Sequence, residues 1–255
     1  MTTSIPSLLL PLAIASLLFL YSSINVVSAA KLDRNASHGH NGKLPPYTPG
    51  PFSIVTLTPS DETLLSKGKP VMKQIPYTPE DDMGEGGRAI CVQDVDAPKP
   101  AVWNQILGLD EYVGKVKKLN VCKNYFVEKE GEDGAVRIKT KMVIGVLPGF
   151  SYENYYNHRY TPESDSMTWQ LDYDKTSDFD DVSGHWHVED HPQKAGTSRV
   201  FYACDVTFKQ RMPKAVMSYV NKSALKLATG WVKRESEGRK DACIPAAFVP
   251  DVVTE

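Results

Sequence analysis

The chain has 255 residues, and its 29 lysines and arginines against 31 aspartates and glutamates give a formal net charge of −2. This balance lacks the basic excess on which phosphate-backbone binding depends, so we expect no nucleic-acid partner. With 41% apolar and 24% charged residues, the composition is that of a globular protein and excludes a disordered, collagen-like or polytopic membrane chain. Four cysteines are too few for a disulfide-built scaffold, so a hydrophobic core must hold the fold.

The N-terminus has the pattern of a secretory signal peptide, residues 1–29. The apolar run at 8–20 is too short to cross a bilayer as a helix, and small residues at 27–29 suit a signal peptidase. Because no lysine or arginine precedes the run, two alternatives stay open: an uncleaved signal that anchors the chain in a membrane, and an organelle reached through the secretory route. We expect a secreted or secretory-pathway glycoprotein, with glycosylation sequons at Asn35 and Asn221.

The cysteines and the first histidines show no metal-binding spacing. In an oxidising compartment the cysteines permit three disulfide pairings, and the sequence does not choose among them or against buried thiols. These cysteines are Cys91, Cys122, Cys204 and Cys243. We expect His38 and His40 to be solvated rather than to bind a metal, and we expect neither a metal nor a cofactor.

Prolines divide residues 30–87 into short pieces. Eight prolines between positions 45 and 79 interrupt every candidate helix or strand, and a glycine-rich turn at 83–87 closes the stretch. We therefore predict a largely extended or disordered arm. Its apolar segment 52–57 is expected to dock on the domain that follows.

Beyond residue 87 the hydrophobic periodicity predicts a strand, two short helices and then a run of strands. Residues 88–96 alternate as a strand, Asp96 is predicted to cap a helix that has Pro98 in its first turn, and a second helix is predicted around 110–116. Further strands are predicted at Asn120–Glu130, Ala135–Leu147, Tyr152–Tyr160, Met167–Tyr173, Phe179–Glu189 and Ser198–Phe208. A meander of antiparallel strands with one apolar face needs an element to cover that face.

A long helix from Pro213 to about Glu237 is predicted to provide this cover. Its apolar residues recur with the helical period. They are Val216, Val220, Ala224, Leu227 and Trp231. Residues 239–255 form a tail without periodicity, to which no role is assigned.

Taken in order, these elements and several short motifs resemble the START-like (SRPBCC) helix-grip superfamily. Within it, the chain is most similar to the polyketide cyclase/dehydrase and lipid-transport group, which includes coenzyme Q-binding START proteins. The motifs are Val95-Asp-Ala-Pro-Lys-Pro-Ala-Val-Trp103, Trp169-Gln-Leu-Asp-Tyr173, Gly184-His-Trp-His-Val188, Gly196-Thr-Ser-Arg-Val-Phe-Tyr202 with Asp205-Val206, and Pro213 through Trp231. The resemblance covers residues 88–238. It implies an α+β fold in which a curved antiparallel sheet of six or seven strands wraps around the long C-terminal helix.

The resemblance also implies an apolar cavity between the sheet and this helix. Strand alternation and helical spacing indicate which side chains face the cavity and contact a ligand. They are Trp169, Leu171, Tyr173, Trp186, Val188, Tyr202, Cys204, Val216, Val220, Ala224 and Leu227. The expected function is binding or carriage of a lipid or a quinone- or isoprenoid-like molecule, without a catalytic residue. Transient membrane contact stays open as a further interaction, and the sequence does not set the oligomeric state.

Two other functions stay open. A cyclase- or dehydratase-type enzyme acting on a polyketide-like substrate predicts an acid–base group deep in the pocket, such as His158, Arg159 or Tyr173. An extracellular interaction protein predicts a closed, filled core instead.

A row of polar residues at His185, His187 and Glu189 offers the spacing of metal ligands or acid–base groups along one strand. Alternation places all three opposite Trp186. If the tryptophan faces the cavity, the polar row faces the other way, and we expect it to form an exposed strand face.

Overall fold

The structure, a computed structural model, describes residues 32–77, 85–131, 134–147, 149–209 and 225–249. Its helices are α1 (Pro59–Ser66), α2 (Lys99–Leu107) and α3 (Leu225–Glu237), with 3-10 turns at Leu109–Glu111, Pro162–Ser164 and Ala246–Phe248. Its strands are β1 (Val71–Pro76), β2 (Gly86–Val95), β3 (Leu119–Glu130), β4 (Ala135–Leu147), β5 (Phe150–Thr161), β6 (Ser166–Leu171), β7 (Phe179–Asp190) and β8 (Ser198–Phe208). None of these helices is long and apolar enough to cross a membrane. The predicted signal peptide lies outside the described residues.

The eight strands form one antiparallel sheet in the order β1-β2-β8-β7-β6-β5-β4-β3. From β3 to β8 each strand pairs with the next one along the chain, which is the antiparallel meander predicted from the sequence. The crossover that contains α2 joins β2, near one edge of the sheet, to β3 at the other edge. Strands β2 to β8 were all predicted from the sequence, with ends within two residues of those observed.

One face of the sheet packs against α2 and α3, and we call it the inner face. Trp231 on α3 stacks with Tyr112 at a ring-centre distance of 4.5 Å, and Trp103 on α2 contacts Tyr160 on β5 at 4.9 Å. Both tryptophans belong to the cluster of buried apolar residues that joins the helices to the sheet. The α+β helix-grip arrangement that the resemblance implies is thus confirmed by the strand order and the helix positions.

Three details of the helices differ from the predictions. Pro98 rather than Asp96 occupies the N-cap of α2, and the Asp96 carboxylate instead contacts Lys240 at 2.8 Å. The second short helix is only a 3-10 turn, because the chain turns at Gly114 with φ of 90°. The long helix was predicted from Pro213 to about Glu237. Helix α3 ends at Glu237 as predicted, and residues 213–224 lie outside the described part of the chain.

The proline-rich stretch contains regular elements that the sequence analysis missed. Helix α1 begins at Pro59, where a proline is tolerated because the first helical N–H needs no partner, and Thr58 and Asp61 form its capping box. Strand β1 pairs with β2 and ends at Pro76. These prolines stand at the ends of elements, so the prediction that prolines interrupt every element was wrong.

Residues 34–54, which we call the strap, lie across the face of the sheet opposite the helices. The backbone N–H groups of Lys43 and Leu44 donate to the Asp181 carboxylate, and the Tyr47 hydroxyl donates to Asp205. The strap therefore buries polar residues of β7 and β8 that would otherwise meet solvent.

The strap buries histidines that were predicted to be exposed or solvated, so two predictions were wrong. His185 and His187 do face away from Trp186, but they are only 2% and 5% exposed, because Phe52 of the strap stacks on His185. The prediction of an exposed strand face at these positions was wrong. His38 is not solvated either: it is 6% exposed, and its Nε2 bonds the Asp180 carbonyl at 2.8 Å.

Candidate functional site

A cavity of about 510 Å³ lies between the inner face of the sheet and α3. Side chains from β4 to β8, from α3 and from the turn after α2 line it, together with the facing parts of β1 and β2. The cavity forms because a sheet that curls around a single helix leaves space that the helix alone does not fill. Its volume is within the range of small-molecule sites.

Three aromatic rings on adjacent strands form one wall. Trp186 and Tyr202 are cross-strand partners on β7 and β8, with ring centres 4.6 Å apart, and Trp169 on β6 lies 5.7 Å from Tyr202. Gly184 faces Trp169 across the β6–β7 pair, and a Cβ at this glycine would overlap the indole ring. The absence of a side chain at Gly184 thus lets the indole lie flat against the neighbouring strand.

A second wall comes from β4 and β5. It contains Met142 and Ile144 on β4, and Tyr156 and His158 on β5. Of these four, only His158 was predicted in the pocket, as an acid–base candidate of the alternative enzyme. The alternation along β5 carries the signal for Tyr156, because Tyr156, His158 and Tyr160 share a face and Tyr160 is buried against α2.

The helix and the turn after α2 close the cavity. Leu227, Ala228 and Trp231 on α3 line it, with Leu109 and Tyr112 from the turn. The Tyr112 hydroxyl donates to the Ile106 carbonyl at 2.6 Å, which fixes its ring against Trp231.

The predicted ligand-contacting residues divide into three groups. Those that line the cavity are Trp169, Trp186, Tyr202, Cys204 and Leu227. Leu171 and Val188 are buried elsewhere in the core, and Tyr173 lies outside the cavity because β6 ends at Leu171 and alternation stops there. Val216, Val220 and Ala224 lie outside the described residues.

The cavity wall is largely apolar, and burial keeps Cys204, Tyr202 and His158 in it uncharged. Burial raises the pKa of the Cys204 thiol to about 12, so it is not a thiolate nucleophile at neutral pH. Burial also raises the pKa of the Tyr202 hydroxyl and lowers the pKa of His158 to about 3. Of the described lining residues none is an aspartate or glutamate, and the Arg88 guanidinium at the edge is bonded to Asp205 at 2.7 and 2.8 Å.

Among the three acid–base candidates, the structure places only His158 in the cavity. Arg159 bonds Glu130 at 3.0 Å on the opposite face of β5, and the Tyr173 hydroxyl donates to Asp181 at 2.7 Å beneath the strap. Within the described ranges no three His, Cys, Asp or Glu side chains are grouped to hold a metal ion. All four cysteines are free thiols.

A scan against models of known families finds no match, and no curated protein matches the chain. Solved structures resemble it. A START superfamily protein from Mycobacterium smegmatis is 14% identical, covers 60% of this chain and 97% of its own, and gives a TM-score of 0.43. The Zhui aromatase/cyclase from Streptomyces sp. R1128 is 14% identical, covers 69% of this chain and 98% of its own, and gives a TM-score of 0.46. A protein from Thermus thermophilus is 15% identical, covers 60% of this chain and 95% of its own, and gives a TM-score of 0.44.

Proposed function

We propose that this protein binds a hydrophobic small molecule in the cavity between its sheet and α3. The observation that carries the proposal is the cavity itself: about 510 Å³ lined by aromatic and aliphatic side chains, with few polar groups. An enclosed apolar wall gains free energy when it buries apolar ligand surface. The three-ring wall of Trp169, Trp186 and Tyr202 suits a flat or isoprenoid molecule, so we propose a lipid or quinone-like ligand that is bound or carried.

A fluorescent apolar probe tests this proposal directly. N-phenyl-1-naphthylamine is uncharged and brightens in apolar surroundings, so we expect a saturable, one-to-one increase in its emission on titration with the protein. Tyr202→Leu removes one ring of the aromatic wall and should weaken binding about three- to tenfold, the value of an aromatic contact. Phe201→Leu is the matched control, because its neighbouring ring packs on the opposite face against Phe52 and His187.

The two variants separate a ligand site from a general loss of structure. Tyr202→Leu and Phe201→Leu each remove an aromatic side chain from β8 and should lower stability by similar amounts. Only Tyr202→Leu should change probe binding. Absence of saturable binding by the wild-type chain, or equal weakening in both variants, would contradict the proposal.

A second candidate function, cyclisation or dehydration of a polyketide-like substrate, rests on one observation: His158 lies in the cavity wall. Its pKa of about 3 makes the neutral imidazole a weak base at neutral pH, which is unfavourable for acid–base catalysis. Incubation with a poly-β-ketone and mass spectrometry of the products tests this candidate. A water-loss product that disappears in His158→Phe would support it, and an unchanged substrate would exclude it for that compound. The cavity argues against the filled core of an interaction protein.

We also propose that the chain works in the secretory pathway or outside the cell, as the signal-peptide pattern of residues 1–29 suggests. The side chain of Asn35 is exposed, with its Oδ1 accepting a hydrogen bond from Lys175 at 3.2 Å, so the sequon is accessible to glycosylation. Expression in a eukaryotic secretory host should yield a chain that starts near residue 30. An intact N-terminus in a membrane fraction would support the uncleaved-anchor alternative instead.

A further inference from the structure

His158 is a polar side chain set into an apolar part of the cavity wall. It is 4% exposed and lies on β5, opposite Ile138 on β4 and Trp169 on β6. Its ring centre is 5.9 Å from that of Tyr156 and 6.0 Å from that of Trp169. Neither Nδ1 nor Nε2 has a hydrogen-bond partner among the described residues.

Among the buried histidines of the described residues, both ring nitrogens are without a partner at His158, and one, Nε2, at His185. The other two buried histidines have partners. His38 bonds the Asp180 carbonyl at 2.8 Å, and Nδ1 of His187 bonds the Asp165 carbonyl at 2.9 Å. A buried imidazole without partners costs free energy, and between Ile138 and Trp169 an apolar residue would pack without that cost. His158 therefore holds an unused donor and an unused acceptor in the cavity wall, and a turn of the imidazole ring would present one of them to an occupant of the cavity.

We propose that His158 anchors the ligand, through a hydrogen bond to an uncharged hydroxyl or carbonyl group at the buried end of an otherwise apolar molecule. The inference rests on the proposed function and specifies its ligand class. Neutral alcohols, phenols and ketones are favoured over carboxylates and phosphates.

The surroundings of His158 explain why the anchored group must be neutral. The side chains that face it, Ile138, Tyr156 and Trp169, carry no charge, and burial keeps the imidazole itself uncharged at neutral pH. An anion beside it would be buried without a counter-ion, which is far more costly than burying a hydroxyl. Lys117 and Lys118, which also line the cavity, are exposed residues of the turn before β3.

Three compounds that differ in one group test the anchor: naphthalene, 2-naphthol and 2-naphthoate, titrated calorimetrically near neutral pH. We expect the wild-type chain to bind 2-naphthol about tenfold more tightly than naphthalene, as one hydrogen bond allows, and 2-naphthoate more weakly than either. His158→Phe should remove the preference for 2-naphthol while it still binds naphthalene. His158→Gln, which keeps a donor and an acceptor, should retain part of it.

Two controls keep the result specific. His158→Phe should melt no lower than the wild type, because it removes an unpaired polar group from an apolar site. His187→Phe, on the opposite face of the sheet, should leave the 2-naphthol preference unchanged.

The outcomes separate this inference from the proposed function. Equal binding of naphthalene and 2-naphthol by the wild type, or a preference that survives in His158→Phe, overturns the anchor and leaves the apolar site standing. Tighter binding of 2-naphthoate than of 2-naphthol overturns the neutral ligand class. If none of the three compounds binds, the proposed function fails and the inference fails with it.

Discussion

Asp181 is the residue that should hold the strap to the sheet. Its carboxylate is fully buried and accepts four hydrogen bonds. The donors are the backbone N–H groups of Lys43 at 2.6 Å, Leu44 at 2.8 Å and Val182 at 2.8 Å, and the Tyr173 hydroxyl at 2.7 Å. Asp181→Ala removes both acceptor oxygens and with them all four hydrogen bonds.

The expected cost follows from the buried donors. The N–H groups of Leu44 and Val182 are buried, and leaving a buried donor unsatisfied costs about 1–3 kcal/mol. The N–H of Lys43 is partly exposed and regains water. We expect Asp181→Ala to lower the free energy of unfolding by about 3–5 kcal/mol, a size otherwise seen for cavity-forming core substitutions.

The matched control is the adjacent Asp180. Its carboxylate pairs with Lys43 and His40 near the surface, so Asp180→Ala should cost less than about 1 kcal/mol. Urea unfolding followed by tryptophan fluorescence gives both values, and protease cleavage within residues 34–54 reports strap release. A loss below about 1 kcal/mol for Asp181→Ala, or a larger loss for Asp180→Ala, would refute the reasoning.

Three other predictions concern the aromatic wall, the strap and the sequon. Gly184→Ala should displace the Trp169 indole and weaken binding of the naphthylamine probe, whereas Gly39→Ala, where a Cβ meets no neighbour and φ is not positive, should not. Burial lowers the pKa of His185 to about 4, so the folded state binds fewer protons than the unfolded state below pH 6.5. The contribution of His185 to stability should therefore fall by about 1.4 kcal/mol per pH unit between about pH 6 and 4, and His158 adds a fall of the same sign. His185→Phe should make the decline of the urea midpoint over that range less steep without abolishing it. Asn35→Gln should remove one glycan from chain secreted by a eukaryotic host; unchanged mass would contradict glycosylation at this position.

Most of the fold follows from periodicity, because alternation marks strands whose two faces meet different surroundings. Strands β2 to β8 were predicted for this reason, and so was the end of α3. β1 was missed because Pro70 and Pro76 were taken to interrupt any strand here. Pro70 precedes the strand and Pro76 is its last residue. Local rules describe where a proline is tolerated, but only the pairing with β2 decides that this segment is a strand.

The candidate site was predictable in part. The resemblance implied the cavity, alternation placed Trp169, Trp186 and Tyr202 on the face that lines it, and they do line it. Tyr173 was misplaced because alternation holds only while the strand continues, and β6 ends at Leu171. The burial of His185 was not predictable from β7 itself, because its cover comes from Phe52, more than a hundred residues earlier in the chain.

The two faces of the sheet therefore differ in what covers them. The strap covers the outer face and donates hydrogen bonds to Asp181 and Asp205, while Ser183 Oγ, His185 Nε2 and Thr207 Oγ1 stay without partners among the described residues. The inner face meets α3 across an apolar space in which Trp186 and Tyr202 pack against each other and His158 lacks a partner among the described residues.

Native mass spectrometry of the chain purified from a eukaryotic secretory host, followed by extraction and identification of released molecules, tests the central claim most directly. Our account predicts one uncharged, largely apolar molecule per chain, released on unfolding, with a lower occupancy in Tyr202→Leu and an unchanged occupancy in Phe201→Leu. A chain that carries no such molecule and takes up neither the naphthylamine probe nor naphthalene would contradict it.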